Sequence, residues 1–169
     1  MRPSFIFFFV TSFMFNASAS KLDDSLAKIT NFHFVSEQLA SSGLLDLDDY
    51  KHINQYGFKH VVNLIPGDQA EERKTVEALG LSYEQIPVDW SEPTLQNFED
   101  FVELMKSYGK DKIYVHCEAN YRASTFVFLY RVTQLGESKA TAEKDLHKIW
   151  QPSKTWQGYI EKVLFAELG

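Results

Sequence analysis

The one cysteine of the chain, Cys117, stands five positions before Arg122 in the run Val115-His116-Cys117-Glu118-Ala119-Asn120-Tyr121-Arg122-Ala123-Ser124-Thr125. A thiol attacks only as thiolate, and an unperturbed cysteine titrates near ~8.5. This cysteine falls where an apolar strand ends and a helix begins. There the amides of the turn lack intrahelical partners and the helix dipole adds partial positive charge, so the turn attracts anions. The same field favours thiolate and moves activated cysteines into the ~3.5–7.5 range. Arg122 can fork onto two oxygens of a bound group, and His116 is placed to orient or support the thiolate from behind. Two plainer readings stand beside this one: a packed core cysteine, and an arginine paired with a carboxylate.

Delivering a thiol in this way requires a strand before it and a helix after it, and the flanking sequence supplies both. Asn31 to Val35 and Gln38 to Ala40 read as short opening strands in a tight connection. Asp46 to Tyr56 follows as a helix with Leu47, Tyr50, Ile53 and Asn54 on one face and Gly57 as its stop. His60 to Ile65 is an apolar strand closed by Pro66-Gly67. A charged helix over 69–79 turns Val76 and Leu79 inward, with Glu71-Glu72-Arg73-Lys74 as a solvated face. Leu81 to Val88 returns as a strand, and Thr94 caps a helix reaching Tyr108 with Leu95, Phe98, Val102 and Met105 at helical spacing. Ile113 to His116 is the buried strand before Cys117, and the apolar helix Phe126 to Val132 comes after it. Amphipathic helices around Leu146-Ile149 and Tyr159-Val163-Leu164 end the chain, with Trp150 and Trp156 as packing anchors. Strands alternating with helices imply an α/β domain: a three-layer α/β/α arrangement around a mostly parallel sheet of four to five strands. Ligands of such sheets bind beyond the C-terminal strand ends.

Composition sets the bounds. With 169 residues, 44% hydrophobic and 24% charged, the chain can bury one substantial core. A formal charge of −6 provides no basic surface for extended nucleic acid, though a single small anion remains compatible. One cysteine excludes an intrachain disulfide. His52, His60 and His147 lack ligand spacing, so no metal or other cofactor is expected, and His33 reads as structural. Residues 1–19 read as a secretory signal: Arg2, an apolar run from Phe5 to Phe15, then Ala17-Ser18-Ala19 as a small-x-small cleavage pattern. The run is shorter than the roughly 20 residues of a spanning helix. Residues 20–169 are therefore expected as one exported domain, periplasmic or secreted, without stable membrane insertion once cleaved; an uncleaved N-terminal anchor is the alternative.

The segment from His116 to Thr125 resembles the signature loop of dual-specificity cysteine phosphatases: His-Cys, five residues, Arg, then Ser or Thr. Val61-Val62-Asn63-Leu64 and Tyr83-Glu84-Gln85-Ile86-Pro87-Val88-Asp89 look like that superfamily's strand-and-loop approach to its general-acid aspartate, so the likeness spans roughly residues 30–135. The segment order is similar to that of a bacterial family of such phosphatases, DUF442, related to a domain found beside β-lactamase-fold hydrolases. Its members place four residues between Cys and Arg, as this chain does. The resemblance implies a phosphatase of the tyrosine or dual-specificity kind acting on a phosphorylated protein or a small phosphate ester. Cys117 would attack phosphorus, while Glu118, Ala119, Asn120, Tyr121, Arg122 and Ala123 cradle the oxygens. Asp89 would protonate the leaving group and Ser124 or Thr125 support the departing thiolate.

Departures from that pattern keep other readings open. The loop is one residue short and lacks glycine, leaving Asn120 as the residue best able to take a left-handed backbone. Ala123 stands where a hydroxyl usually follows the arginine, and Ile65 replaces the arginine usual after Asn63-Leu64. Asp89, next to Trp90 and Pro93, also suits a turn or cap, and Glu92 competes as proton donor. The rhodanese family of sulfurtransferases likewise uses a six-residue cysteine loop before a helix. A catalytically silent anion-binding module is the third reading.

Overall fold

The structure is a computed structural model that describes residues 24–169; the expected signal peptide lies outside the described residues. After a helical turn at 24–26, the chain forms strands β1 (His33–Phe34) and β2 (Leu39–Ser42), helix α1 (Asp49–Gln55), β3 (His60–Asn63), α2 (Ala70–Ala78), β4 (Ser82–Gln85), α3 (Leu95–Ser107) and β5 (Ile113–His116). Three helices follow: α4 (Tyr121–Thr133), α5 (Lys139–Ile149) and α6 (Lys154–Leu168). The sheet order is β1-β2-β5-β3-β4, with β1 antiparallel to β2 and every other pair parallel. This is the expected three-layer α/β/α domain, with five strands.

Alternation along each strand divides the core in two. Val62, Val115 and Leu39 pack with α3, α4, α5 and α6. Val61, Tyr83 and Tyr114 point to the opposite face, toward Tyr50 and Ile53 of α1 and Val76 of α2. In β5 this parity sends His116 to the α1/α2 face, whereas Cys117, just past the strand, packs with the α4 side. The register aligns Ser42, Asn63 and His116 at the C-terminal edge, where the candidate site lies.

Several boundaries differ from those read in the sequence. The second strand runs to Ser42 rather than Ala40. Small residues with every position buried carry no alternation, and the serine needs of this interior strand are met in part by Tyr114, whose hydroxyl donates to Ser42 Oγ at 2.6 Å. Helix α1 begins at Asp49, and Leu47 lies outside it, 41% exposed. Strand β3 stops at Asn63, and Leu64-Ile65 continue as a buried extended segment fixed by Leu64 N–H donating to His116 O at 2.9 Å. Strand β4 is trimmed to Ser82–Gln85. Helix α4 starts at Tyr121, five residues before the apolar run that announced it. Because residues 122–132 are all buried, it has no amphipathic period to read. The Thr94 cap of α3 forms as expected, accepting from Asn97 N at 3.1 Å. Among the described residues no helix is long and apolar enough to cross a membrane.

Candidate active site

Cys117 is the first residue past β5, its amide donating to Ser42 O at 3.2 Å. Its side chain is 1% exposed and borders a cleft of about 410 Å³ lined by Trp90, Cys117, Glu118, Ala119, Tyr121 and Arg122. The four-residue connection to Arg122 closes through Asn120, which caps α4 at φ 64°, ψ 4°. That left-handed backbone is the one expected of Asn120, and its amide side chain secures it by donating to Asn31 O at 2.6 Å.

Two neighbouring segments hold the loop from outside. Leu44 N–H donates to Glu118 O at 2.9 Å, and Asn31 Nδ2 donates to Ala119 O at 3.1 Å. Because a trans peptide aims its N–H opposite its C=O, the Ala119 amide faces away from the 42–44 segment. Gly43 makes this approach feasible: a Cβ there would stand 2.8 Å from Glu118 O and 2.9 Å from Thr30 Cγ2. Asn31, expected from the sequence to open a strand, instead lies before β1 at φ 48°, and an asparagine 86 positions before Cys117 gives no local signal of this contact.

Arg122 leaves the first turn of α4 and is 5% exposed. Its Nη1 lies 3.3 Å from Glu118 Oε2, its guanidinium carbon lies 5.5 Å from the centre of the Trp90 ring, and its Nε is buried with no protein acceptor. The Glu118 side chain is 63% exposed. A buried cation so weakly partnered has unused donors beside a thiol, which is the requirement for gripping an oxyanion.

Ala123 packs its methyl into the core and can offer the cradle only backbone. Ser124 Oγ and Thr125 Oγ1 donate to Tyr121 O at 3.3 and 2.8 Å, so both hydroxyls are turned to the helix backbone. Asp89 is exposed and forms an Asx turn: its Oδ1 accepts from Ser91 Oγ at 2.6 Å, Ser91 N at 2.7 Å and Glu92 N at 3.2 Å. Those donors, Ser91 foremost, hold its carboxyl below the usual range, with a further contribution from the positive charge of Arg122. The turn role weighed for Asp89 is thus present, and the same turn carries Trp90 into the cleft wall. Behind Trp90, Trp156 Nε1 donates to Trp90 O at 3.1 Å, and Tyr121 stacks on Trp150 with ring centres 4.7 Å apart.

The solvated face assigned to Glu71-Glu72-Arg73-Lys74 needs correction. Glu72 turns inward: Oε1 lies 2.7 Å from His116 Nε2 and accepts from Tyr50 OH at 2.5 Å, and Oε2 accepts from Asn63 Nδ2 at 2.9 Å. Arg73 donates to Tyr83 O at 2.8 Å and lies over its ring. A run of charged residues hides which of them meets buried polar partners on another element, and this is why the sequence did not reveal Glu72. The His116 side chain therefore lies on the opposite side of the sheet from Cys117, with its Nε2 against Glu72.

Comparison with known proteins agrees with this geometry. A family model described as DSP-PTPase phosphatase fused to NAD+ kinase matches residues 25–159. The structure is similar to that of a DUF442 protein from Shewanella putrefaciens CN-32, with TM-score 0.75 and 30% identity, covering 85% of this chain and 97% of that one. At lower identity it shares its fold with the core catalytic domain of the PP-IP phosphatase SIW14 from S. cerevisiae, solved in complex with citrate (TM-score 0.67, 17% identity, 78% and 83% covered). It also shares its fold with a cysteine-to-serine variant of P. aeruginosa TpbA in complex with pTyr (TM-score 0.66, 16% identity, 82% and 90% covered). A search of curated proteins finds no match. The His116-Cys117 pair, the arginine five residues on and the fold that presents them agree with the family match: the chain belongs to the DSP-PTPase phosphatases and is a phosphoric monoester hydrolase.

Proposed function

We propose that the protein hydrolyses phosphate monoesters, on phosphotyrosine- or phosphoserine-bearing proteins or on small esters, through a phosphocysteine intermediate. The observation that carries this reading is the buried Arg122, its Nε without an acceptor, lining the same cleft as the buried Cys117 thiol. In the first step Cys117 Sγ attacks phosphorus; the S–P bond forms as the ester P–O bond breaks. Arg122 and the amides of residues 118–123 neutralise the oxygens, and Asp89 gives its proton to the leaving oxygen. In the second step water attacks phosphorus, its proton passes to Asp89, the S–P bond breaks and inorganic phosphate leaves. The restored thiolate takes a hydrogen bond from Ser124 once that hydroxyl rotates away from Tyr121 O.

Asp89 must be protonated to act, whereas the Asx turn favours its anion. A phosphate dianion entering the cleft offsets the charge of Arg122 and disfavours a second anion beside it, which shifts Asp89 toward its acid form. The aromatic wall of Trp90 and Tyr121 suits an aryl leaving group. Residues 1–19 direct export and are cleaved after Ala19, so that the domain works in the periplasm or outside the cell; N-terminal sequencing of protein from the exported fraction, starting at Ser20, is the expected result.

The reading is tested by aryl phosphate hydrolysis with the reduced protein and its Cys117→Ser variant, alongside thiosulfate-to-cyanide sulfur transfer. Phosphate release lost in the variant supports it. Cys117-dependent thiocyanate without phosphate release moves the assignment to sulfur transfer, which the short loop suits. Phosphate binding with neither activity leaves an anion-binding module.

A further inference from the structure

The sheet face opposite Cys117 carries a buried polar cluster contributed by five elements. Tyr50 of α1, Asn63 of β3 and His116 of β5 all reach the carboxylate of Glu72 on α2, while Tyr83 of β4 accepts from Asn63 Nδ2 at 2.9 Å. The Glu72 side chain is 13% exposed and that of His116 is 2% exposed. Burial by itself would push the Glu72 carboxyl up, yet hydrogen bonds from His116, Tyr50 and Asn63 hold it below the usual range. Three side chains thus converge on the Glu72 carboxylate in a geometry that suits its anion, and a buried anion needs a compensating cation or ample donors.

The His116 ring gives the candidate cation. Its Nε2 faces Glu72 at 2.7 Å, with Tyr50 OH at 3.4 Å, while its Nδ1 is buried without a protein partner. Nothing on the Nδ1 side decides whether the ring is neutral or doubly protonated, so the carboxylate on the Nε2 side decides it. The other titratable groups facing the cluster do not change charge near neutrality. Burial raises Tyr50, Tyr83 and Tyr114 above the ordinary tyrosine range, and the Arg73 guanidinium lies 4.6 Å from the centre of the Tyr83 ring. Asp49, at the start of α1, adds a carboxylate whose charge acts on Tyr114.

We propose that Glu72 is a positioning residue for the phosphatase reaction: it holds His116 as an imidazolium, one residue before Cys117, and this cation keeps the nucleophile ionised. The proposal rests on the reading of Cys117 as nucleophile. It fixes a sign. Acting directly through space, the Glu72 charge would oppose a thiolate, so its removal would make Cys117 more acidic. Acting through His116, its removal takes away a cation and makes Cys117 less acidic.

The test is the pH dependence of Cys117 alkylation by iodoacetamide, which reads the thiolate without reference to turnover. In Glu72→Gln the alkylation midpoint rises by about one pH unit, the low end for loss of a neighbouring opposite charge, giving roughly tenfold slower labelling below both midpoints. Glu72→Asp recovers part of the shift, and in a His116→Asn background Glu72→Gln adds none. An unchanged or lowered midpoint in Glu72→Gln overturns the proposal. A wild-type midpoint in the ordinary cysteine range overturns the nucleophile reading instead. Nitrogen NMR of the unsubstituted protein gives an answer independent of any variant's folding: His116 protonated on both nitrogens at neutral pH supports the proposal, and a neutral ring overturns it.

Discussion

Glu118 Oε2 lies 3.3 Å from Arg122 Nη1, so a carboxylate of the loop itself occupies part of the arginine's reach. An incoming phosphate must displace it. The Glu118 side chain is 63% exposed, and solvent screens such a pair to about 0.2–1 kcal/mol. Glu118→Gln is therefore expected to tighten inorganic phosphate or vanadate binding by about 1.5- to 5-fold, measured as a lower inhibition constant, with the gain shrinking as salt is added. Weaker binding would mean that Glu118 holds Arg122 in place instead of competing for it.

Asn120 combines a left-handed backbone with a side-chain bond to Asn31 across the two segments. Asn120→Gly keeps the conformation and loses the bond, for about 1 kcal/mol. Asn120→Ala loses the bond and adds the left-handed penalty of about 1–2 kcal/mol. Urea unfolding should thus rank wild type above Gly above Ala. Phosphate release should fall further in Ala, because the loop backbone is what the oxygens meet.

Asp89 is held ionised first by Ser91. In Ser91→Ala the carboxylate loses the hydroxyl donor, its pKa rises, and a larger fraction is protonated at a given pH. The basic limb of the kcat profile should therefore move to higher pH, with the acid limb unmoved. Asp89→Asn should lower kcat by about 10²-fold or more, the usual scale of general-acid loss, with the largest effect on esters of poor leaving groups.

Arg131 of α4 is 6% exposed and bonded to Glu137 at 2.7 Å and to Asp145 of α5 at 2.8 Å. Removing one partner of such a set leaves charges stranded, so Arg131→Gln should cost about 2–4 kcal/mol in urea unfolding at neutral pH, discounted for the partly exposed carboxylates. Burial pushes Asp145 up, but hydrogen bonds from Lys148 and Arg131 leave it below the usual range. A depressed carboxyl stabilises the fold fully above its unfolded value of ~3.9 and ceases to do so as pH falls through the folded value. The gap between wild type and Arg131→Gln should close over that acid window.

The sequence made most of the architecture legible, for reasons that particular residues explain. The bounds of Ile113 to His116 are legible because three buried apolar or aromatic positions end at the chemically distinct pair His116-Cys117, and the Thr94 cap because a threonine before an apolar helical period is a cap. Asn120 was found because a glycine-free loop needs one residue tolerant of positive φ. What stayed hidden depended on contacts distant in sequence. Glu72 meets His116 across 44 positions and Asn31 meets Asn120 across 89, and neither residue type announces its partner. Trp90 was legible as a loop residue but not as the cleft wall beside Arg122, since that requires the Asx turn at Asp89 to be formed. A helix is expected directly after the cysteine loop, yet its apolar run is legible only from Phe126, because a helix buried all round carries no period to mark its first turn.

The most direct measurement of the account is rapid-quench trapping of phosphorus-labelled enzyme during hydrolysis of an aryl phosphate, followed by mapping of the labelled residue. The account predicts a phosphoryl group on Cys117, retained through a denaturing quench at alkaline pH, accumulating before steady-state phosphate release and absent in Cys117→Ser. Phosphate release at an undiminished rate in Cys117→Ser, or turnover with the label on another residue, would contradict it.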